Sequence, residues 1–288
     1  MSKGKALKAA LKKKGLISAP GIYDMISAKI ADRMGFQCLY MTGYGTVASA
    51  LGVPDAGLAS YTEMLARVQA MAGGTRTPMI ADADTGFGGL LNVERTVRGY
   101  EAAGAAGIQI EDQVFPKKCG HTPGRRVVPL EDMVRKIQVA VATRASADFL
   151  IVARTDARTN HGLDEALRRG EAFAKAGADI LFIESPESEA EMVKICARFD
   201  QPLLANMVEG GRTPVLPAKQ LEEMGYKIAI FPGLGFLTVA KALEQNYGVL
   251  KREGSTARIA KDLYPFEEMN KLMGFPEVWD FEKRWPEV

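Results

Sequence analysis

Four nine-residue segments of this sequence superimpose without a gap: 34–42 (MGFQCLYMT), 103–111 (AGAAGIQIE), 176–184 (AGADILFIE) and 224–232 (MGYKIAIFP). Each has a glycine at its second position, a short spacer and then an apolar run. The glycine suits the left-handed backbone residue that ends a helix, and the run suits a strand buried on both faces. Each segment therefore reads as a helix end feeding a parallel strand, and its recurrence is an internal repeat. Similar apolar runs lie at 17–20, 78–82, 149–153 and 202–205, which makes eight strands beginning near residues 17, 38, 79, 107, 149, 180, 203 and 228. Helical spacing of apolar residues fills 24–34, 60–72, 91–103, 130–146, 163–176, 188–199, 216–224 and 236–253. Alternating strands and helices imply right-handed crossovers and a parallel sheet. Eight such units in about 250 residues predict a (β/α)8 TIM-type barrel. An open doubly wound sheet is the alternative, weakened because no Gly-x-Gly-x-x-Gly follows the first strand. The barrel is expected over 1–253, with a helical tail over 254–288. The aromatic stretch in that tail would pack on its own barrel or on a neighbouring subunit.

The composition narrows the class. In 288 residues the charged groups nearly cancel, 37 Lys and Arg against 35 Asp and Glu, and the only basic block is at the N-terminus. Nucleic-acid binding is not expected, nor is a membrane span, since no run of about 18 apolar residues occurs. The lysine-rich start lacks the apolar segment of a secretory signal and reads as a short amphipathic helix. Three widely spaced cysteines, Cys38, Cys119 and Cys196, argue against a disulfide framework and for a reducing, cytoplasmic setting.

In such a barrel the chemistry gathers at the C-terminal strand ends. Those ends read Tyr40-Met-Thr42-Gly43-Tyr44-Gly45, Asp82-Ala-Asp84, Glu111-Asp112, Arg154-Thr-Asp156, Glu184, and Asn206 with Glu209. Converging polar groups of this kind mark a site. Asp82, Asp84 and Glu111 would repel one another unless a cation lay between them, and oxygen donors without a His or Cys cluster suit Mg2+ or Mn2+. Ion pairing to Arg154 is the competing explanation. The loop running from Glu111 to Arg126 carries Cys119 among Lys117, Lys118 and His121, neighbours that favour the thiolate. His161, before a helix, reads as a solvated or capping residue.

Lys117-Lys-Cys-Gly-His121, preceded by Glu111-Asp-Gln and by Asp82-Ala-Asp-Thr-Gly-Phe-Gly88, resembles the isocitrate lyase/phosphoenolpyruvate mutase superfamily. The resemblance spans nearly the whole chain and extends through Tyr40–Gly43, Ala153–Asp156 and Leu204–Gly210. It is strongest to short-chain members that cleave 2-methylisocitrate or 2,3-dimethylmalate, hydrolyse oxaloacetate or rearrange carboxyphosphonoenolpyruvate. It implies a barrel that exchanges its eighth helix within a homotetramer. It also implies Mg2+ held by Asp84, with Asp82 and Glu111 acting partly through water and Asp55 in the metal set. Backbone amides of residues 43–45 would bind a 2-oxo-acid carboxylate, and Lys117–His121 would lie on a gating loop.

The implied reaction is retro-aldol cleavage of a small 2-hydroxy dicarboxylate, with a carboxyphosphonoenolpyruvate phosphonomutase or oxaloacetate hydrolase on the same scaffold, or a 2-methylisocitrate lyase, as the alternative. Cys119 would be the general acid and Arg154 would offset developing charge. Glu184, Asn206 and Glu209 would orient the second fragment, and the base would be Tyr40 or a metal-bound water. Two positions depart from the pattern. Gln109 stands where many relatives have His. Leu237 stands where tricarboxylate-cleaving relatives have an arginine, which points to an alkyl-substituted malate.

Overall fold

A computed structural model of the protein describes residues 2–120, 122 and 124–286. Eight strands form: β1 (Ile17–Ile22), β2 (Leu39–Met41), β3 (Met79–Asp82), β4 (Gly107–Glu111), β5 (Leu150–Thr155), β6 (Ile180–Ile183), β7 (Leu204–Asn206) and β8 (Ile228–Phe231). All pair in parallel, in the order β6-β5-β4-β3-β2-β1-β8-β7. A parallel bridge between Leu181 and Leu203 joins the two ends of that order. The result is the expected (β/α)8 barrel. The four repeat glycines, Gly35, Gly104, Gly177 and Gly225, have φ of 78°, 92°, 101° and 113°. This is the left-handed geometry that lets each helix stop and the chain turn into the next strand.

The helices of this part are α1 (Lys3–Leu11), α2 (Met25–Arg33), α3 (Gly43–Leu51), α4 (Tyr61–Gly74), α5 (Leu90–Ala102), α6 (Leu130–Thr143), α7 (Arg158–Lys175), α8 (Glu189–Cys196) and α9 (Ala218–Met224). Ser60 caps α4 in a reciprocal capping box with Glu63, and Ser188 caps α8. The N-terminal helix is integral: Leu7 is fully buried among Ile17, Cys38, Ile180 and Ile228 inside the barrel, and Lys3 donates to the carbonyls of Ala72 and Thr75. Helix α3 was not expected, because its glycines, Thr42 and β-branched residues read as a strand-end loop. His161 is exposed, one residue before Gly162 breaks the regular backbone of α7 with φ 83°.

The chain divides into two compact units, Met1–Gly235 and Phe236–Val288. Most of α10 (Leu234–Glu253) belongs to the second, followed by a 3-10 turn (Ala257–Asp262), α11 (Phe266–Met273) and α12 (Phe275–Arg284). Large apolar side chains of this unit are exposed, among them Tyr247, Phe266, Phe281 and Trp285. Among the described residues no helix is long and apolar enough to cross a membrane.

Candidate active site

The two-residue period of the strands builds the site. Cys38, Ile80, Val152, Phe182 and Leu204 belong to the buried cluster inside the barrel. Two residues further along the same strands come Tyr40, Asp82, Arg154, Glu184 and Asn206, and β4 adds Gln109 and Glu111. All seven are buried. The apolar floor and the polar mouth are thus successive inward positions of the same strands.

Arg154 is the hub. Its guanidinium lies 3.2 Å from Glu111 Oε2 and 3.4 Å from Glu184 Oε2, donates to both oxygens of Asp156 and sits 5.2 Å from the centre of the Phe182 ring. Glu184 accepts from the Ser185 amide at 2.8 Å and from Asn206 Nδ2 at 3.1 Å. Ser185 holds φ 60°, a conformation that a non-glycine residue keeps only under local constraint.

The acidic side is a second cluster. Asp82 accepts from the Asp84 amide at 3.0 Å, from the Gly43 amide at 3.3 Å and from Gln109 Nε2 at 3.3 Å. Asp84 also has positive φ, 50°. The Lys117 ammonium lies 2.6 Å from Asp84 Oδ1 and pairs with Asp55 as well. Burial pushes the Asp84 carboxyl up to about 6; Lys117 opposes that rise, while Asp82 and Asp55 add to it. Burial also raises Asp82, and Glu111 lies well above the carboxylate range for the same reason. For Lys117, burial works against the charge, but Asp84 and Asp55 outweigh it and keep the ammonium protonated. The sequence placed that charge beside the Cys119 thiol; in the fold it is directed to Asp55 and Asp84.

These residues fit a hard divalent cation. Asp55, Asp82, Asp84, Glu111 and Glu184 are paired among the described residues with Lys117 and Arg154. Glu111 Oε1 is buried with no hydrogen-bond partner among the described residues. Among those residues no three His, Cys, Asp or Glu side chains converge enough to enclose a metal alone. One or two carboxylates plus waters and substrate is how Mg2+ is usually held.

Tyr40 donates its hydroxyl hydrogen to Gln109 Oε1 at 2.5 Å. The direction is forced: the other end of the amide must donate to Asp82, so its oxygen faces Tyr40. Burial, reinforced by Asp82, raises the phenol well above its usual range. Tyr40 therefore stands as a neutral phenol.

The loop after β4 closes on this mouth. The Cys119 amide donates to the Asp55 carbonyl at 3.2 Å, and Gln113 brackets Lys118 from both sides. Ser185 Oγ donates to the Gly120 carbonyl at 3.2 Å. His121 lies outside the described residues. Thr42, Gly43 and Gly45 are buried at the start of α3, while Tyr44 is exposed. A helix start directs backbone amides outward, as an anion needs, and the Gly43 amide already meets one carboxylate, Asp82. A Cβ at Gly43 would fall 2.6 Å from Asp82 Oδ2, so only glycine fits there. Glu209 is exposed after β7, and Leu237 lies in the second unit, 46% exposed.

Sequence reasoning assigned no role to Arg125, Asp112, Asp156 or Arg169, which form a buried ion network behind Arg154. The only signal was an unusual density of charge next to apolar strands.

A parallel barrel with buried carboxylates, an arginine hub and a cysteine-bearing loop over its mouth defines a class of barrel enzymes acting on small anions. The comparisons identify the family within that class. The phosphoenolpyruvate phosphomutase family profile matches residues 7–249. The chain is 50% identical over 285 residues to 2,3-dimethylmalate lyase of Eubacterium barkeri, covering 99% of each protein. It is 44% identical over 285 residues to 2-methylisocitrate lyase of Aeropyrum pernix, covering 99% of this chain and 91% of that one. A crystal structure of 2,3-dimethylmalate lyase superposes with a TM-score of 0.93 at 36% identity, covering 99% of this chain and 96% of that one. Phosphonopyruvate hydrolase in complex with oxalate and Mg2+ superposes with a TM-score of 0.90 at 30% identity over the full length of both. This chain belongs to the phosphoenolpyruvate mutase/isocitrate lyase superfamily.

Proposed function

We propose that this protein is a Mg2+-dependent carbon–carbon lyase that cleaves a small alkyl-substituted malate, such as 2,3-dimethylmalate, to pyruvate and a carboxylate. The observation that carries this reading is the 50% identity to a 2,3-dimethylmalate lyase across 99% of both chains. The metal would be held by Asp84, with Asp82 and Glu111 reaching it through water and Asp55 adjoining. When bound, Mg2+ supplies positive charge against the oxygens of the 2-oxo acid.

The chain's own groups do the rest. The amides of residues 43–45 receive the carboxylate beside C2, with the Gly43 amide shared between it and Asp82. Tyr40 keeps its own proton on Gln109, so its oxygen accepts from the C2 hydroxyl and orients it. As the C2–C3 bond breaks, its electron pair moves onto C3 and the adjoining carboxylate, while the C2 hydroxyl gives its proton to a water held at the acidic cluster and becomes the carbonyl of pyruvate. Arg154 and Lys117 offset the charge that develops. Cys119 gives its proton to C3, which yields propionate from 2,3-dimethylmalate, and His121 supports that transfer from the same loop. Glu184 and Asn206 orient this fragment, with Glu209 at the rim. The closed loop keeps water from the carbanion.

Leu237 favours the dicarboxylate. It offers no charge or donor where tricarboxylate-cleaving relatives have arginine, so a third carboxylate there would have no partner. The exposed apolar face of the second unit supports a homotetramer that exchanges α10 between subunits. The setting we propose is the cytoplasm, where Cys38, Cys119 and Cys196 stay free. A screen of malate-type acids for pyruvate release, coupled to lactate dehydrogenase, tests the reading. 31P NMR with a phosphonate substrate exposes the phosphonomutase alternative.

A further inference from the structure

Arg154 and Cys119 come from different elements, and a chain of hydrogen bonds joins them behind the site. Asp156 accepts from Arg154 Nε at 3.0 Å and from Arg154 Nη2 at 2.9 Å. The oxygen that takes Nη2 also accepts from Arg125 Nη1, at 2.6 Å. Arg125 belongs to the loop. Its Nη2 donates to Thr159 Oγ1 at 2.7 Å, and its Nε donates to the Thr122 carbonyl at 3.3 Å. Thr122 returns to the cysteine, donating from its amide and its hydroxyl to the Cys119 carbonyl at 3.0 and 2.8 Å. The Asp156 amide is anchored at 2.9 Å to Asp112, which Thr155 and Arg169 hold in turn. Arg125 is 2% exposed and Asp156 1%.

We propose that Arg125 and Asp156 are positioning residues that set the Cys119 turn against Arg154. One carboxylate oxygen serves both guanidiniums, so a displacement of Arg125 changes the contacts that aim Arg154. All three donor groups of Arg125 are in use, which a lysine cannot reproduce. A plain structural staple at the foot of the loop would affect melting temperature alone. A positioning pair changes the accessibility of Cys119 and the turnover rate. The catalytic half of this inference rests on the lyase reading; the thiol half does not.

The test compares wild type, Arg125→Gln and Arg125→Lys. Without substrate, the rate of Cys119 alkylation by iodoacetamide is followed by peptide mass, which separates it from Cys38 and Cys196. In parallel, kcat and KM are measured for 2,3-dimethylmalate, and melting temperature is recorded. Arg125→Gln is expected to raise the Cys119 rate by about tenfold or more, as local opening of the turn exposes the thiol. It should lower kcat by about a hundredfold with KM within about threefold. Arg125→Lys should recover part of both effects, since it keeps the charge opposite Asp156. A folded Arg125→Gln protein with unchanged alkylation overturns the proposal. If that variant does not fold, unchanged alkylation in Arg125→Lys does the same. Faster alkylation in a protein that cleaves no malate supports the positioning role and counts against the lyase reading.

Discussion

Gly120→Ala adds one methyl group at the point where the loop meets the hub of the site. A Cβ built at Gly120 lies 2.9 Å from Glu184 Oε2 and 3.0 Å from its Cδ, and closer still to Arg154 Nη2. Ordinary contact for such atoms is about 3.5 Å, so the clash with Glu184 is near 0.5 Å and that with Arg154 is larger. Neither side chain yields freely. Arg154 is held by the two hydrogen bonds it donates to Asp156 and by the Phe182 ring, and Glu184 by Ser185 and Asn206. The loop therefore lifts, or the hub shifts, by roughly 1 Å, and a misplacement of that size costs about a hundredfold in rate. That equals about 2.7 kcal/mol of barrel-mouth alignment. The assay is pyruvate release coupled to lactate dehydrogenase, with thermal unfolding as a control, since Gly120 is buried against the polar mouth and not against the apolar core. The expected outcome is kcat/KM down about a hundredfold with little change in melting temperature. Wild-type kcat/KM in Gly120→Ala would refute the closed-loop geometry.

As the proposed metal ligand, Asp84 is expected to set a pH limit on Mg2+ binding. With its carboxyl near 6, the protonated form dominates below that pH and cannot ligate. Apparent Mg2+ affinity should therefore be flat above about pH 7 and fall about tenfold per unit below 6; calorimetric titrations giving one affinity from pH 5 to 7 would contradict this. Asp84→Ala should abolish turnover, whereas full activity in excess EDTA would remove the metal from the mechanism. Cys119→Ser should still bind pyruvate but lose about 10²–10⁴ in kcat, because a hydroxyl is a far weaker acid than a thiol; activity near wild type would take Cys119 out of the proton transfer. Leu237→Arg should shift the kcat/KM ratio toward 2-methylisocitrate, and an unchanged ratio would show that Leu237 does not read the substrate.

The barrel was legible because its signals are local. A left-handed glycine followed by an apolar run needs no tertiary information, and Gly35, Gly104, Gly177 and Gly225 all have the expected backbone. The inward polar residues were legible for the same reason, as the strand period carries them to the mouth. Helix α3 was not, because Gly43, Gly45 and Thr46 have weak helical preference and tertiary contacts decide their state. The partners of each charge were equally hidden. Lys117 reaches Asp55, 62 positions away, and Arg169 reaches Asp112, 57 positions away, pairings that only the closed barrel creates. Gln109 stood out as a departure from the family pattern, but its link from Tyr40 to Asp82 depends on the register of β2, β3 and β4.

The most direct test of the account is a side-by-side measurement of kcat/KM for 2,3-dimethylmalate and 2-methylisocitrate with saturating Mg2+. Retro-aldol chemistry with Leu237 as the proposed reader of the substrate predicts pyruvate from the first acid and a clear preference for it. A preference for 2-methylisocitrate would overturn the substrate assignment. No pyruvate from any malate-type acid, together with turnover of a phosphonate, would contradict the lyase itself.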